Sequence, residues 1–235
     1  LDGTGLFYFK EKHCENCLCT TRKTENGKTT KLYYHKVLEA KIVLSDAVII
    51  SLGTEFIENE KEDVTKQDCE INAAKRLLRK IKKEYPRLPI CIQGDALYAT
   101  EPFMELCREK YHWEYIFTQK DTRQKKLDES FEWIKSGDDS TRQTGLCKEK
   151  GTAFYANHVE EVAGKKQLMN VFEYEYETKD KKGMLQIIRF QWVTSLELTK
   201  RNLEEMIHAG RGRWKIENEG FNTPVSYTHL TLPTN

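Results

Sequence analysis

The sequence predicts an α/β fold, and three observations support that class. Three β-rich runs joined by short polar connections occupy the first 52 residues. Apolar residues then recur at helical spacing over residues 71–85, and a proline follows at once. Later in the chain, alternating apolar and polar residues at 171–177 and 185–193 predict paired antiparallel strands.

The early β-rich segment is predicted to form an antiparallel meander. Residues 1–9 are expected to form a first strand, with Asp2 near its beginning. A polar turn at Asn26-Gly27 precedes a second strand region at residues 32–44, and a third strand is expected at 47–52. The first carboxylate of interest therefore lies on a strand.

The middle of the chain alternates helix and strand. A helix is predicted over residues 66–85, followed by a short apolar strand at 88–95 that ends in Gly-Asp. Another helix at 101–110 and a strand at 113–118 come next. A carboxylate at the C-terminal tip of a buried strand lies where α/β sheets usually carry their sites, so Asp95 is a candidate site residue.

The segment that follows has a different residue pattern. Residues 120–194 combine charged connections with alternating runs and predict a β-rich insertion. Thr199 is a suitable N-cap for a helix over residues 200–209, which leads toward Arg213 and Glu217. These two residues are four positions apart, so on a helix they share one face.

Composition excludes several classes of protein. The 235 residues carry 38 Lys and Arg against 37 Asp and Glu, and the 11 Tyr, 10 Phe and 4 Trp argue against disorder. No apolar run reaches the roughly 18 residues that a membrane span needs, and no signal segment is recognisable. Seven Cys is an odd number and suits reduced thiols. We therefore expect a cytoplasmic protein without membrane contact.

Three acids stand out by their context, namely Asp2, Asp95 and Glu217. If they converge, two strand carboxylates and one helical carboxylate form an all-oxygen site that suits two Mg²⁺ or Mn²⁺ ions. Such a pair, about 4 Å apart, supports in-line phosphoryl transfer. With 37 acidic residues in the chain, many other triples exist, so spacing alone leaves the site open.

Three motifs in this order resemble those of the DDE transposases of bacterial insertion sequences. They are Asp2-Gly-Thr-Gly-Leu6, Gly94-Asp95-Ala-Leu-Tyr98 and Arg213-Trp-Lys-Ile-Glu217-Asn-Glu-Gly-Phe221. The resemblance is to the group with a ribonuclease H-like core, a β-rich insertion before the last acid and a Tyr-x2-Arg-x3-Glu-x6-Lys signature. It covers residues 1–223, and residues 66–76 also resemble one subgroup. Two positions depart from the signature, because Gly210 stands in place of its Tyr and Pro224 in place of its Lys.

The resemblance implies a function and a set of site residues. Asp2, Asp95 and Glu217 would bind two Mg²⁺ or Mn²⁺ ions for donor-end nicking and 3′-hydroxyl strand transfer. Basic residues beside the third acid would contact DNA phosphates, and the partners would be transposon ends, target DNA and a second protomer in a nucleoid-associated homodimer. The basic residues are Arg211, Arg213 and Lys215. Two alternatives stay open: a metal-dependent nuclease or resolvase, and a decayed, non-catalytic DNA-binding remnant.

The resemblance also implies a division of the chain. A ribonuclease H-like mixed sheet flanked by helices would take residues 1–119 and 195–224, with the β-rich insertion at 120–194. Residues 225–235 look like a translated sequencing adapter rather than native sequence. We therefore expect a chain truncated at both ends and inactive alone.

A separate cysteine-rich motif, His13-Cys14-Glu-Asn-Cys17-Leu-Cys19, has two interpretations. Cys14, Cys17 and His13 supply three ligands of the kind that Zn²⁺ prefers. Alternatively, the cysteines are plain reduced thiols in a loop. A second ligand pair is not evident in the sequence, although His35 on the neighbouring strand could approach across a hairpin.

Overall fold

The structure is a computed structural model and describes residues 1–23, 27, 29–45, 48–59, 66–120, 125–137, 141–160 and 168–215. Residues 213–215 are described by their backbone alone. It divides into two compact units, which run from Leu1 to Leu88 and from Pro89 to Arg213. Each unit has its own sheet. The predicted α/β class is confirmed at this level, since the structure combines sheets with helices.

The first unit is built on a four-stranded antiparallel sheet. Its long strand β3 pairs with β1 along one edge and with β2 and β4 in succession along the other. The predicted meander of three runs is confirmed, and β2 is an addition because its polar residues gave no strand pattern. The strands are β1 Asp2–Phe9, β2 Leu18–Lys23, β3 Thr29–Ser45 and β4 Val48–Ile57.

One amphipathic helix, α1 Glu70–Glu84, packs on this sheet. Its apolar stripe is buried, as the helical spacing predicts. The helix begins four residues later than the predicted start at residue 66, because Gln67 and Asp68 make other hydrogen bonds. Gln67 Nε2 donates to Cys19 O at 2.8 Å, and Asp68 N donates to Asn59 Oδ1 at 3.1 Å. The buried stripe consists of Ala73, Ala74, Leu77, Leu78 and Ile81.

The second unit holds a six-stranded sheet in the order β5-β6-β10-β9-β8-β7. The β5–β6 pair is parallel and the other pairs are antiparallel. The predicted pairing of the runs at 171–177 and 185–193 is confirmed. The strands are β5 Cys91–Gly94, β6 Glu114–Thr118, β7 Arg142–Leu146, β8 Gly151–Glu160, β9 Leu168–Lys179 and β10 Leu185–Thr194.

Three helices accompany this sheet among the described residues. The first, α2 Glu101–Glu105, continues as a π-helical segment, Leu106–Lys110. Together the two segments cover the helix predicted at residues 101–110. The second, α3 Lys125–Gly137, was not predicted, because only Leu127 and Phe131 are buried within a strongly charged stretch. The third, α4 Leu203–Lys215, begins after a turn in which Thr199 O accepts Leu203 N–H at 3.1 Å.

The helix α4 packs closely on the sheet at one glycine. A Cβ added to Gly210 would lie 2.6 Å from the ring of Trp192, which is itself buried and stacked on Phe172 at 4.9 Å. A tyrosine at position 210 would therefore require Trp192 to move. The packing of Trp192 therefore favours a glycine at this position.

Candidate functional site

The first predicted acid lies on the meander sheet. Asp2 is the first residue of β1 and is paired in register with Glu39 of β3. Directly opposed residues of an antiparallel pair present their side chains on one face. Glu39 forms an ion pair with Lys41 at 3.1 Å. This end of the sheet therefore brings two carboxylates together with one ammonium group.

A third carboxylate lies next to the same strand. A Cβ at Gly3 would collide with the Glu70 carboxylate, so the glycine of the Asp-Gly motif leaves room for Glu70. Glu70 is in the first turn of α1 and accepts a hydrogen bond from Lys36 Nζ at 2.5 Å. Its position at a helix N-terminus and its lysine partner support a structural role.

The second predicted acid follows β5 directly. Asp95 Oδ1 accepts the Leu97 N–H at 2.8 Å, which is an Asx turn, and Asp95 O accepts the Tyr98 N–H at 3.1 Å. A Cβ at Gly94 would lie 2.5 Å from the Tyr98 ring, which is fully buried against Phe103. The Gly94, Asp95 and Tyr98 of the motif thus shape one turn at the carboxyl end of a strand. The turn uses one carboxylate oxygen of Asp95, and within the described part of the chain the second oxygen shows no hydrogen bond.

The third predicted acid, Glu217, lies outside the described residues, as do the side chains of Arg213 and Lys215. The Arg211 side chain is described. It forms an ion pair with Glu149 at 2.9 Å, and the carboxylate raises the pKa of Arg211 against the opposing effect of burial. The guanidinium also lies 5.7 to 6.0 Å from the ring centroids of three aromatic residues, Tyr174, Tyr176 and Phe190.

The three predicted acids are distributed over different parts of the chain. Asp2 belongs to the first unit and Asp95 to the second, and the strands that carry or precede them belong to different sheets. Glu217 and the adapter-like residues 225–235 fall outside the described part of the chain. Convergence of Asp2, Asp95 and Glu217 therefore stays a prediction from the resemblance.

The structure does bring together a different group of side chains, within the first unit. The Cys14 and Cys17 thiols and the His35 ring place their ligand atoms within 4.8 Å of one another. The two sulfurs are 3.6 Å apart, and His35 Nε2 lies 3.4 Å from each of them. Cys17 is buried, Cys14 is exposed and His35 is half-buried. We call these three residues the Cys2His cluster.

The cluster follows from strand register and one tight turn. Because Leu18 of β2 pairs with Tyr34 of β3, the chain brings Cys17 next to His35. The Cys17 N–H then donates to Cys14 O at 3.4 Å, which closes the turn and returns Cys14 to its partner. The Cys-x2-Cys spacing predicts such a turn, and the pairing of β2 with β3 selects His35 as its histidine partner.

In the structure His35, and not His13, lies beside the two cysteines, so the third ligand of the zinc hypothesis changes. The His13 ring stacks on Phe9 at 4.4 Å between centroids, and it is His35 that joins the two cysteines. Cys19 is also outside the cluster, with its thiol directed to Thr20 O at 4.0 Å. His35 thus reaches the two cysteines across the hairpin.

Hydrogen bonds hold the backbone of the cluster in place. Asn59, which is 6% exposed, donates its N–H to Asn16 O at 3.1 Å and its side-chain amide to Cys17 O at 3.0 Å. Asn16 returns a side-chain bond to Asn59 O at 2.7 Å. Gln67 bonds both backbone groups of Cys19. The turn is therefore tied to the end of β4 and to the segment before α1.

The two thiols differ in acidity. Burial acts to raise the pKa of Cys17, but hydrogen bonds with the backbone at His13 and Cys14 and with the Cys14 thiol outweigh it, so the pKa of Cys17 is lowered. Burial and the neighbouring Cys17 raise the pKa of Cys14. The Cys17 thiol is therefore the more acidic of the two.

A second group of possible metal ligands lies in the second unit. The ligand atoms of Cys147, Glu204 and His208 are also within 4.8 Å of one another. Glu204 Oε1 accepts the Cys147 N–H at 2.8 Å, and both Glu204 and His208 are exposed. The carboxylate therefore has a structural role as an acceptor for this loop, which makes the Cys2His cluster the stronger candidate.

Comparison with known proteins adds no family to this description. No protein-family model matches the chain, and no curated protein matches it significantly. Among the helices that the structure describes, each is too short or too polar to cross a membrane.

Proposed function

We propose that this chain carries the catalytic core of a metal-dependent polynucleotidyl transferase that uses three carboxylates. More narrowly, we propose a DNA transposase of the insertion-sequence type with a ribonuclease H-like core, active on transposon ends and target DNA as a homodimer in the nucleoid. The observation that carries the proposal is the secondary-structure setting of the motifs. Asp2 opens strand β1 and Asp95 directly follows strand β5, whereas Glu217 lies outside the described residues.

The donor set of the proposed site fits a hard divalent cation. Carboxylate oxygens are the ligands that Mg²⁺ prefers, and the Asx turn at Asp95 leaves one oxygen for an ion. Asp2, Asp95 and Glu217 would hold the ions, which supply Lewis acidity at the scissile phosphate when bound.

The protein's own part in the reaction is to hold and orient the reacting groups. In the nicking step, a water oxygen bonds to phosphorus, the P–O3′ bond breaks, and a 3′-hydroxyl and a 5′-phosphate result. In the transfer step, that 3′-hydroxyl bonds to a target phosphorus and displaces a target 3′-oxygen. Neither step needs an oxidant or a reductant. Nicking hydrolyses one phosphodiester, and transfer breaks one phosphodiester bond for each one that it forms.

A joining assay tests the proposal and separates it from the two alternatives. Because the chain alone is expected to be inactive, a full-length version of the protein is incubated in Mg²⁺ or Mn²⁺ with labelled duplexes taken from the DNA that flanks the reading frame and with supercoiled plasmid as target. A transposase joins labelled 3′ ends to the plasmid. A nuclease or resolvase cleaves without joining the label to target, and a DNA-binding remnant only retards the duplex. Either of the last two outcomes contradicts the proposal.

A further inference from the structure

We propose that the first unit binds one Zn²⁺ ion through Cys14 Sγ, Cys17 Sγ and His35 Nε2. The role of the ion is independent of the proposed carboxylate site. The three atoms come from a turn and from the strand β3, so one ion would join two separate parts of the unit.

The distances among the three ligand atoms fit a tetrahedral zinc ion. With Zn–S near 2.3 Å and Zn–N near 2.0–2.1 Å, tetrahedral angles place two sulfurs about 3.8 Å apart and sulfur and nitrogen about 3.5 Å apart. The observed separations are 3.6 Å between the sulfurs and 3.4 Å from each sulfur to His35 Nε2. A single ion at the centre of these atoms would therefore reach all three with little movement.

A disulfide fits the same geometry less well. The S–S bond is about 2.03–2.05 Å long, far shorter than the 3.6 Å that separates Cys14 Sγ from Cys17 Sγ. A disulfide would also leave His35 Nε2 without a role, whereas it is equidistant from the two sulfurs. Equal distances from one nitrogen are what a shared central atom produces.

The surroundings of the cluster suit a bound ion. Asn59 and Asn16 fix the turn backbone through three hydrogen bonds, so the ligands are held at the correct spacing by groups that do not bind the ion. Cys14 lies on the exposed side, where a water molecule would complete the tetrahedron. Binding replaces the proton of each neutral thiol, so up to two protons leave for each ion bound.

Zinc content of the purified 235-residue chain tests the proposal. We expect about one zinc per chain by plasma mass spectrometry. Cys17→Ser and His35→Ala should each lower the content at least tenfold. Cys19→Ser and Cys69→Ser are matched controls, since each removes a thiol of the same unit that lies outside the cluster, and both should retain zinc.

Measurements on the unaltered chain keep the test valid if a variant fails to fold. Co²⁺ exchanged for zinc should give the visible bands of a tetrahedral site with thiolate-to-cobalt charge transfer. Bound zinc should protect Cys14 and Cys17, but not the exposed Cys69, from alkylation. Less than about 0.2 zinc per chain after reduction and zinc addition would overturn the proposal, as would zinc that survives in both Cys17→Ser and His35→Ala. Loss of zinc in Cys19→Ser would contradict the ligand set.

Discussion

At the residue scale, Gly210 shows how one position can be fixed by its neighbour. A side chain there would enter the space of the Trp192 ring, which is 2% exposed and stacked between Phe172 and Phe190. The same small residue on an open helix surface would have no such constraint. The identity of residue 210 is therefore decided by the sheet beneath α4 and not by helix propensity.

Replacing Gly210 with Ala should destabilise the protein by about 1–3 kcal/mol, because overpacking of a rigid ring exceeds the gain in helix propensity. Gly137→Ala is the matched control, since a Cβ at that helical position meets nothing within 4 Å. Chemical denaturation of both variants measures the difference. Equal stability of the two variants would show that Trp192 moves freely.

The buried acid Glu173 is a second constraint at the residue scale. It is 1% exposed, and Lys135 Nζ donates to its Oε1 at 2.7 Å, while Arg189 Nε lies 3.6 Å away. Burial raises the pKa of Glu173, and Lys135 opposes that rise. The ion pair therefore joins α3 to β9 at the expense of desolvating a carboxylate.

Lys135→Met should lower the free energy of unfolding near neutral pH by about 3 kcal/mol, because a buried carboxylate loses its main partner and only Arg189 remains. The pKa of Glu173 is higher in the folded protein than in the unfolded chain, so ionisation of Glu173 destabilises the fold. This destabilisation develops as the pH rises from the unfolded pKa through the folded pKa. The deficit of the variant should thus shrink as pH falls toward 4.5 and below. A deficit that grows on acidification would contradict this account, and Lys125→Met, at an exposed ion pair, is the control.

At the element scale, α1 is fastened to β4 by Arg76. Its guanidinium donates to Glu55 at 2.7 Å, to Asp68 at 2.7 Å and to Phe56 O at 2.9 Å. Burial acts to raise the pKa values of Glu55 and Asp68, but hydrogen bonds from Arg76, and from Lys80 for Glu55, outweigh it and lower both. The helix is thus joined to the sheet by contacts that depend on ionised carboxylates.

The pKa values of Glu55 and Asp68 are lower in the folded protein, so their ionised carboxylates stabilise the fold. This stability is fully present above the unfolded pKa values, 4.5 for Glu55 and 3.8 for Asp68, and is lost as the pH falls through the folded pKa values. Arg76→Ala should therefore cost about 1–2 kcal/mol at pH 7 and flatten the acid limb of the stability curve. Thermal unfolding from pH 7 to pH 3 measures this. Arg79→Ala, at an exposed position of the same helix, should keep the acid limb, and a shared response would contradict the role of Arg76.

Sequence patterns predicted those elements whose apolar period is strong. The stripe of α1, the alternation in β9 and β10 and the short apolar β5 all lie where expected. The polar strand β2 and the charged helix α3 were missed, because their residues are determined by strand pairing and by contact with β8, which a local pattern does not show.

At the scale of the whole molecule, the two candidate metal sites differ in how far each can be predicted. The Cys-x2-Cys spacing identified two ligands of the cluster, while His35 depends on the register of β2 against β3, which no local motif encodes. The carboxylates Asp2 and Asp95 lie at a strand start and a strand end, as predicted, in separate units. Their assignment to one site depends on the order of the three motifs in the sequence and on the preference of Mg²⁺ for carboxylate ligands.

The central proposal, that Asp2, Asp95 and Glu217 form one catalytic site, is tested most directly by strand transfer with carboxylate variants of the full-length protein. Asp95→Asn keeps an oxygen that can accept the Leu97 N–H but removes the charge, so it should fold normally and join 3′ ends at least about 100-fold more slowly. Glu105→Gln, an exposed carboxylate of the same unit, should join at the unaltered rate. Transfer by Asp95→Asn at the rate of Glu105→Gln would contradict the claim.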